Sequence, residues 1–460
     1  MNLSKPNNPD GISNNVVNRS LPRTLGALDL ILIGIGCIIG TGIFVLTGVT
    51  AAKFAGPGIM LSFVLSGSAC AFAALAYAEL AAMVPVAGSA YTYAHVALGE
   101  VTAFTVGWAL ICEYTVGAAA VAAGWSGYMK DILAAFSVNI PAAWASVPAE
   151  GGVINLPAVL IVLFLTFLLI LGTKESATLN KILVLIKLSV VVLFLALAAP
   201  HVKSLNWHPF LPFGVKGVAS GAAIVFFAYI GFDAVATAAE ECKNPNRDLP
   251  IGILGSLAVC TVLYIAVSAV LTGAVPYSQL NTSEPMAYAL RYIGLTAGSE
   301  IIAFGAVCGI TTVLLVLIYG QTRVFLAMAR DGMLPKRLVK LHPRYKTPHI
   351  ITGITGVIVA TLSGLLPIGA IAELTNAGTL FAFITVAVGV LVLRHTKPEA
   401  KRPFRCPAVT VIAPMAVLSC GYLLLNLPQT TWLFFGSWVI LGLVVYFFFS
   451  RKHNKSTPAS

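Results

Sequence analysis

The chain has 460 residues, of which 28 are Lys or Arg and 17 Asp or Glu, so 10% carry charge where a soluble domain carries roughly a quarter. That scarcity, with 58% hydrophobic residues and a mean hydropathy of +0.91, excludes an ordinary water-soluble domain, a disordered chain and a disulfide scaffold. The net charge of +11 points to nucleic acid only if its position allows, because Lys and Arg also gather on the cytoplasmic loops of membrane proteins.

In chain order, the polar segment 1–25 reads as a cytoplasmic tail. No cleavable signal peptide is expected, since the apolar run after Arg23 is too long for one and lacks a small-residue exit. Stretches near 20 residues, enough to cross roughly 30 Å of hydrocarbon as helix, start near Ala27, Gly58, Leu98, Ile154, Lys181, Gly217, Ile251, Ser299, Ile350, Ala370, Val409 and Thr431. Strand alternation is absent and the runs exceed the roughly ten residues of a barrel strand, so the expected fold is an all-α membrane protein with twelve transmembrane helices.

With the N-terminus inside, 21 of the 28 basic residues fall on the cytoplasmic side, five (Lys53, Lys130, Lys203, Lys216 and Arg291) on the other, and Lys187 and Arg323 within spans. Both termini, including the tail 451–460, are then cytoplasmic and the protein sits in the cell membrane. The +11 becomes an orientation signal, with lipid bilayer and not nucleic acid as the large partner. The run from Arg330 to Lys346 reads as a basic loop with room for an interfacial helix, and Pro245-Asn246-Arg247 as a turn that ends one helix and sets a loop. The eight cysteines form no C-x-x-C pair and read as buried small hydrophobes, so no metal site is expected.

Two spans carry interruptions. Gly34, Gly36, Gly40 and Gly42 fall within nine residues of the first span. A small-residue packing face is one reading, but Gly40-Thr41-Gly42 is tighter than the four-residue spacing of such a face, which favours an unwound centre. In the sixth span Gly231 and Asp233 interrupt an apolar helix at mid-depth, where a carboxylate needs water or a partner. Paired interruptions at corresponding spans of two halves mark a transporter's binding site. Each break frees backbone N–H groups at one half-helix and C=O groups at the other. A zwitterion can therefore be held with its carboxylate on amides near Thr41, Gly42 and Ile43, and its ammonium on carbonyls near Ile38, Phe227 and Ile230.

Several motifs in this order carry a resemblance: Gly36-x-Ile38-Ile39-Gly40-Thr41-Gly42-Ile43-Phe44, Tyr77-Ala78-Glu79-Leu80, Gly88-Ser89-Ala90-Tyr91, Phe227-Ala228-Tyr229-x-Gly231-Phe232-Asp233 and Glu240-Glu241-x-Lys243-Asn244-Pro245-x-Arg247. From about Arg23 to about Arg405 the chain resembles the amino acid-polyamine-organocation superfamily, and within it bacterial members of the cationic amino acid transporter family. The resemblance implies a LeuT-type 5+5 inverted repeat with helices 1 and 6 broken, its halves at 26–200 and 214–394, and two further helices over 407–450. It also implies an L-amino acid substrate taken up by alternating access and symport with a proton, with no cofactor beyond that coupling ion. Whether a small single-span subunit joins it stays open.

The substrate site expected on this basis comprises Ile38, Gly40, Thr41, Gly42, Ile43, Phe227, Ala228, Ile230, Glu113 and Leu317. Phe227 adjoins the break and is placed to close over a substrate, and Leu317 at the cavity wall favours small or medium neutral side chains. Glu113 has two readings, one facing a cationic substrate side chain and one protonated and bonded to a neighbouring helix. Lys187 lies six residues after Lys181, about 9 Å along a helix. It either snorkels to the interface or is a desolvated amine able to take and release a proton. In similar proton-coupled members a lysine of the fifth helix has that second role, which puts Lys187 against carbonyls near Gly34 or Ile35. Glu79, Asp29, Glu240 and Glu241 fall near cytoplasmic span ends as gate or loop contacts, and Arg323 is expected to snorkel or to pair with a loop acid. No catalytic triad, zinc-protease or Walker motif is present, so an enzyme is not expected. A channel, a non-transporting amino acid sensor and a sodium-coupled carrier are the alternatives.

Overall fold

Long apolar runs in hydrocarbon must satisfy their own backbone polar groups, and the chain does so with helices. The computed structural model describes residues 25–450 apart from 86–87, 173–176, 336–339 and 346, and without the side chains of 177–181, 237, 240, 449 and 450. The two tails expected to be cytoplasmic lie, but for Leu25, outside the described residues.

The helices are α1 (Ala27–Ile38), α2 (Ile59–Met83), α3 (Ser89–Leu98), α4 (Glu100–Ala135), α5 (Leu156–Leu171), α6 (Ala177–Ala198), α7 (Gly214–Val225), α8 (Pro245–Ala274), α9 (Pro285–Tyr292), α10 (Thr296–Arg330), α11 (His349–Leu365), α12 (Ile368–Thr396), α13 (Val409–Leu425) and α14 (Gln429–Val445). No strand occurs among the described residues. Eight helical segments are long and apolar enough to cross a membrane, and four shorter apolar helices, α1, α5, α11 and α13, accompany them. The short α3 and α9 have no counterpart in the expected spans.

Local chemistry sets several boundaries. Asp29 accepts from the Gly26 N–H at 2.9 Å and closes the first turn of α1. Asn155 caps α5 by accepting from Ala158. Pro245 corrects the expectation of a stopping turn: it is the first residue of α8, where its missing N–H has no intrahelical partner to lose. The stretch after α10, read as a basic loop with room for an interfacial helix, holds turns and no helix among its described residues.

The core is formed by α4 lying against α10 and α12, α8 against α1 and α2, and α6 against α10. Serine hydroxyls knit α2 to α7, Ser62 donating to the Val218 carbonyl at 2.9 Å and Ser66 to Ala222 at 2.6 Å. The last helix is moored on α4 by a reciprocal pair: the indole N–H of Trp108 donates to the Trp438 carbonyl and that of Trp438 to the Trp108 carbonyl, each at 2.9 Å. Their rings stack with centroids 4.8 Å apart.

Glu79, read as a gate or loop contact near a span end, does meet a loop, but it is 1% exposed. Its carboxylate accepts from Arg394 at 2.9 and 2.7 Å and from the Cys406 N–H at 2.7 Å, and Arg402 approaches to 3.3 Å. It thus ties α2 to the end of α12 and to the loop before α13. Replacing Glu79 by Gln leaves two guanidinium groups facing a neutral amide and is expected to destabilise the protein by about 1–3 kcal/mol. A lowered thermal midpoint in detergent checks this, and an unchanged one contradicts it.

Candidate functional site

The glycine clusters interrupt the helices at two facing points. α1 stops at Ile38, Ile39 is extended (φ −74°, ψ 102°), and the chain resumes as a π-helical turn over Gly42–Leu46, a short α-turn over Thr47–Thr50 and a second π-turn over Ala51–Ala55. α7 gives way to a 3-10 turn over Phe226–Tyr229, an extended Ile230, and a 3-10 helix over Phe232–Glu241. Gly231 between them has φ +117°, and a Cβ there would lie 3.0 Å from the backbone of Cys37. A Cβ on Gly42 would lie 2.3 Å from the Cα of Ala228. Glycine is thus required at both points, where the two broken segments meet backbone to backbone.

Side chains from other helices take up the freed carbonyls. The Tyr264 hydroxyl of α8 lies 2.9 Å from the Ile38 carbonyl and 2.8 Å from that of Ala228, so one phenol bridges both breaks. Asn376 of α12 donates to the carbonyls of Ala223 and Ile224 at 2.7 and 3.1 Å. Tyr128 of α4 donates to Phe44 at 2.7 Å. Lys187 is fully buried and donates from Nζ to the Gly36 carbonyl at 2.6 Å. That excludes snorkelling and moves its contact one to two residues beyond the expected Gly34 or Ile35.

Beside the breaks lies a cavity of about 860 Å³, counting its open mouth. Ile38, Gly40, Thr41, Gly42, Glu113, Phe227, Ile230 and Leu317 line it. Ile43 and Ala228 do not: Ile43 is fully buried, and Ala228 stands behind the wall against Gly42. Lys187 is also off the wall, one helix away. Val121, Val313 and Val316 join Leu317 and Phe227 in an apolar side, and Asp233 and Thr375 add polar groups. Asp233 accepts from Ser89 at 3.2 Å, and Ser89 is bonded to Tyr77. Thr41 Oγ1 and Glu113 Oε2 are buried with no hydrogen-bond partner among the described residues. At the mouth, Arg323 is exposed, which agrees with the snorkelling alternative and not with the loop acid; it lies 4.7 Å over the Tyr319 ring and bonds its hydroxyl.

A second charged cluster lies apart from the cavity lining. Arg291 of α9 donates to both oxygens of Asp131 at 2.7 and 2.6 Å and to Glu284 at 3.2 Å. Burial holds the Glu284 carboxyl above the usual carboxylate range, against the Ser283 hydroxyl and Arg291.

Tyr264 and Asn376 are the partners that motif reading missed. Their signal was a hydrogen-bonding side chain within a long apolar span, Tyr264 in Leu263-Tyr264-Ile265 and Asn376 beside Thr375 in Leu374-Thr375-Asn376-Ala377, which must find a partner in hydrocarbon.

Residues 25–454 match the family model described as amino acid permease. The chain belongs to the amino acid permease family. Among its relatives, the branched-chain amino acid permease BcaP of Bacillus subtilis (strain 168) is 51% identical over 442 residues, covering 95% of each chain. The methylthioribose transporter of the same strain is 49% identical over 439 residues, again 95% of each. The cationic amino acid transporter 4, vacuolar, of Arabidopsis thaliana is 39% identical over 387 residues, 82% of this permease and 64% of that protein. As a permease of this family with helices of spanning length, the chain is a multi-pass membrane protein.

Proposed function

We propose that this permease carries a neutral aliphatic L-amino acid across the cell membrane by alternating access in symport with a proton. Its frame is a twelve-helix LeuT-type arrangement, with the repeats at 26–200 and 214–394, two added helices at 407–450 and both termini in the cytoplasm. The observation that carries the reading is the meeting of two broken helices beside a cavity whose side wall is Val121, Val313, Val316, Leu317 and Phe227. The substrate carboxylate takes the amides at Thr41 and Gly42, the two of the expected three that line the cavity. The ammonium takes the carbonyls of Ile38, Phe227 and Ile230, since the Ile38 oxygen retains a second lone pair beside Tyr264. An aliphatic side chain then meets the apolar wall, and the branched-chain permease at 51% identity supports that size class.

The test is uptake into proteoliposomes with an imposed proton gradient, plus competition of one labelled amino acid by the other nineteen. Valine, leucine or isoleucine is expected to compete most strongly and to accumulate above equilibrium. Mere equilibration indicates a channel, binding without flux a sensor, and a sodium requirement the other coupling.

A second reading rests on Glu113. Its free oxygen on the cavity wall would accept from a sugar hydroxyl, and a relative at 49% identity is named for methylthioribose. Methylthioribose in the same panel decides between the two.

Tyr264→Phe removes one phenolic proton shared by two carbonyls. It is expected to weaken substrate binding about fivefold to tenfold, the equivalent of about 1–1.4 kcal/mol, as measured by calorimetric titration. Unchanged affinity would remove Tyr264 from the site.

A further inference from the structure

The basic residue Arg247 heads a surface that the transport cavity does not use. Arg247, Ile251, Leu254, Ala258 and Val262 recur at three- and four-residue intervals and so share one face of α8. All are at least partly exposed, with Val262 at 68%. The stripe starts on a cation and continues as bare apolar surface, about 22 Å from end to end at the helical rise. At its cationic end it becomes one wall of a groove of about 1000 Å³, counting its open side, whose other wall is Pro403 and Phe404 from the loop before α13.

That second wall is held firmly. Arg402 donates to the carbonyls of Leu393, Lys397, Pro398 and Ala400 at 2.8–2.9 Å, and the Cys406 N–H is taken by the buried Glu79. Between these anchors Arg405 is exposed; it is the residue after Phe404 and is not itself on the groove wall. Neither Arg247 nor Arg405 forms an ion pair among the described residues. The acids nearest to Arg247 in sequence, Glu241 and Asp248, are not on the groove wall.

Charge selects the occupant. The chain's own residues 1–24 enter nearby, where Leu25 pairs with Glu241 and Lys243. They carry Lys5, Arg19 and Arg23 against Asp10 alone, so repulsion opposes their lying on a cationic rim. A phosphodiester with net negative charge and an attached acyl chain matches both ends of the stripe.

We infer that this groove binds one anionic phospholipid, its phosphate on Arg247 and Arg405 and an acyl chain along the stripe from Ile251 to Val262. The lipid then braces α8, the helix that holds both breaks through Tyr264, against the loop before α13.

The test uses the full chain, purified and delipidated in detergent, with native mass spectrometry and thermal melting in the presence of palmitoyl-oleoyl phosphatidylglycerol, the matching phosphatidylcholine, or free sn-glycerol 3-phosphate. Phosphatidylglycerol is expected to be retained as one copy and to raise Tm by several degrees, and the other two are expected to do neither. Arg247→Gln with Arg405→Gln, and separately Ile251→Trp, should each lower its retention at least fivefold. Three results overturn the site: equal retention of phosphatidylcholine, stabilisation by glycerol phosphate alone, or wild-type retention in both variants.

Discussion

Lys187→Met is expected to bind substrate but to lose concentrative uptake, with the accumulation ratio under an imposed proton gradient falling at least tenfold towards equilibrium. The amine sits without solvent contact and donates at 2.6 Å to the Gly36 carbonyl near the C-terminal end of α1. A cation there interacts favourably with both the carbonyl and the half-helix dipole, and a charge-assisted bond is roughly twice as strong as a neutral one. On the proposed coupling, gain and loss of one proton at this amine would change how firmly α6 holds the first break. Methionine keeps most of the bulk and removes the titration, so binding by the backbone survives while its link to the proton is cut. Uptake at several external pH values checks this, with a thermal melt to establish folding. Retention of wild-type accumulation and pH dependence would remove Lys187 from the coupling.

Gly42→Ala is the second large effect. The added methyl would lie 2.3 Å from the Cα and 2.5 Å from the Cβ of Ala228, and 3.0 Å from its backbone nitrogen. No side-chain rotation relieves a clash with backbone, so the two broken segments must separate. Overpacking of this kind costs about 1–3 kcal/mol, and here the strain falls where the proposed carboxylate and ammonium contacts meet. Uptake is expected to drop by about two orders of magnitude, the equivalent of about 2.7 kcal/mol, with affinity weakened as well. Gly353→Ala, where a Cβ meets nothing within 4 Å, serves as the control and is expected to be silent. Wild-type uptake by Gly42→Ala would mean that the breaks do not form the site.

Helical class and the places of interruption were legible because both follow from short-range rules: apolar run length, and glycine or a carboxylate where a helix should continue. Lys187 stood out for the same reason, as a charge in an otherwise apolar turn. What could not be read were long-range partners. Glu79 was legible as a carboxylate near a span end, but its partners, Arg394 of α12 with Arg402 and Cys406 of the following loop, stand more than 300 residues later. Tyr264 and Asn376 were visible as polar groups within apolar spans, but the carbonyls they satisfy belong to other helices. The π-turns at Gly42–Leu46 and Ala51–Ala55 leave no mark on composition, and Ile43, inside the first of them, is fully buried and off the wall that Gly42 lines.

The cross-bonded indoles of Trp108 and Trp438, with centroids 4.8 Å apart, have a further consequence. Two indoles so close couple their strong far-ultraviolet transitions, which gives a circular dichroism couplet wherever the two in-plane transition moments are not parallel, and no other pair of indoles stacks among the described residues. One member sits on the helix that carries Glu113, the other on the last helix. The couplet therefore acts as a built-in fiducial mark. If its amplitude holds while the mouth beside Tyr319 and Arg323 closes, α4 and α14 belong to the stationary part of the machine, and motion can be assigned to the broken helices without attaching any dye.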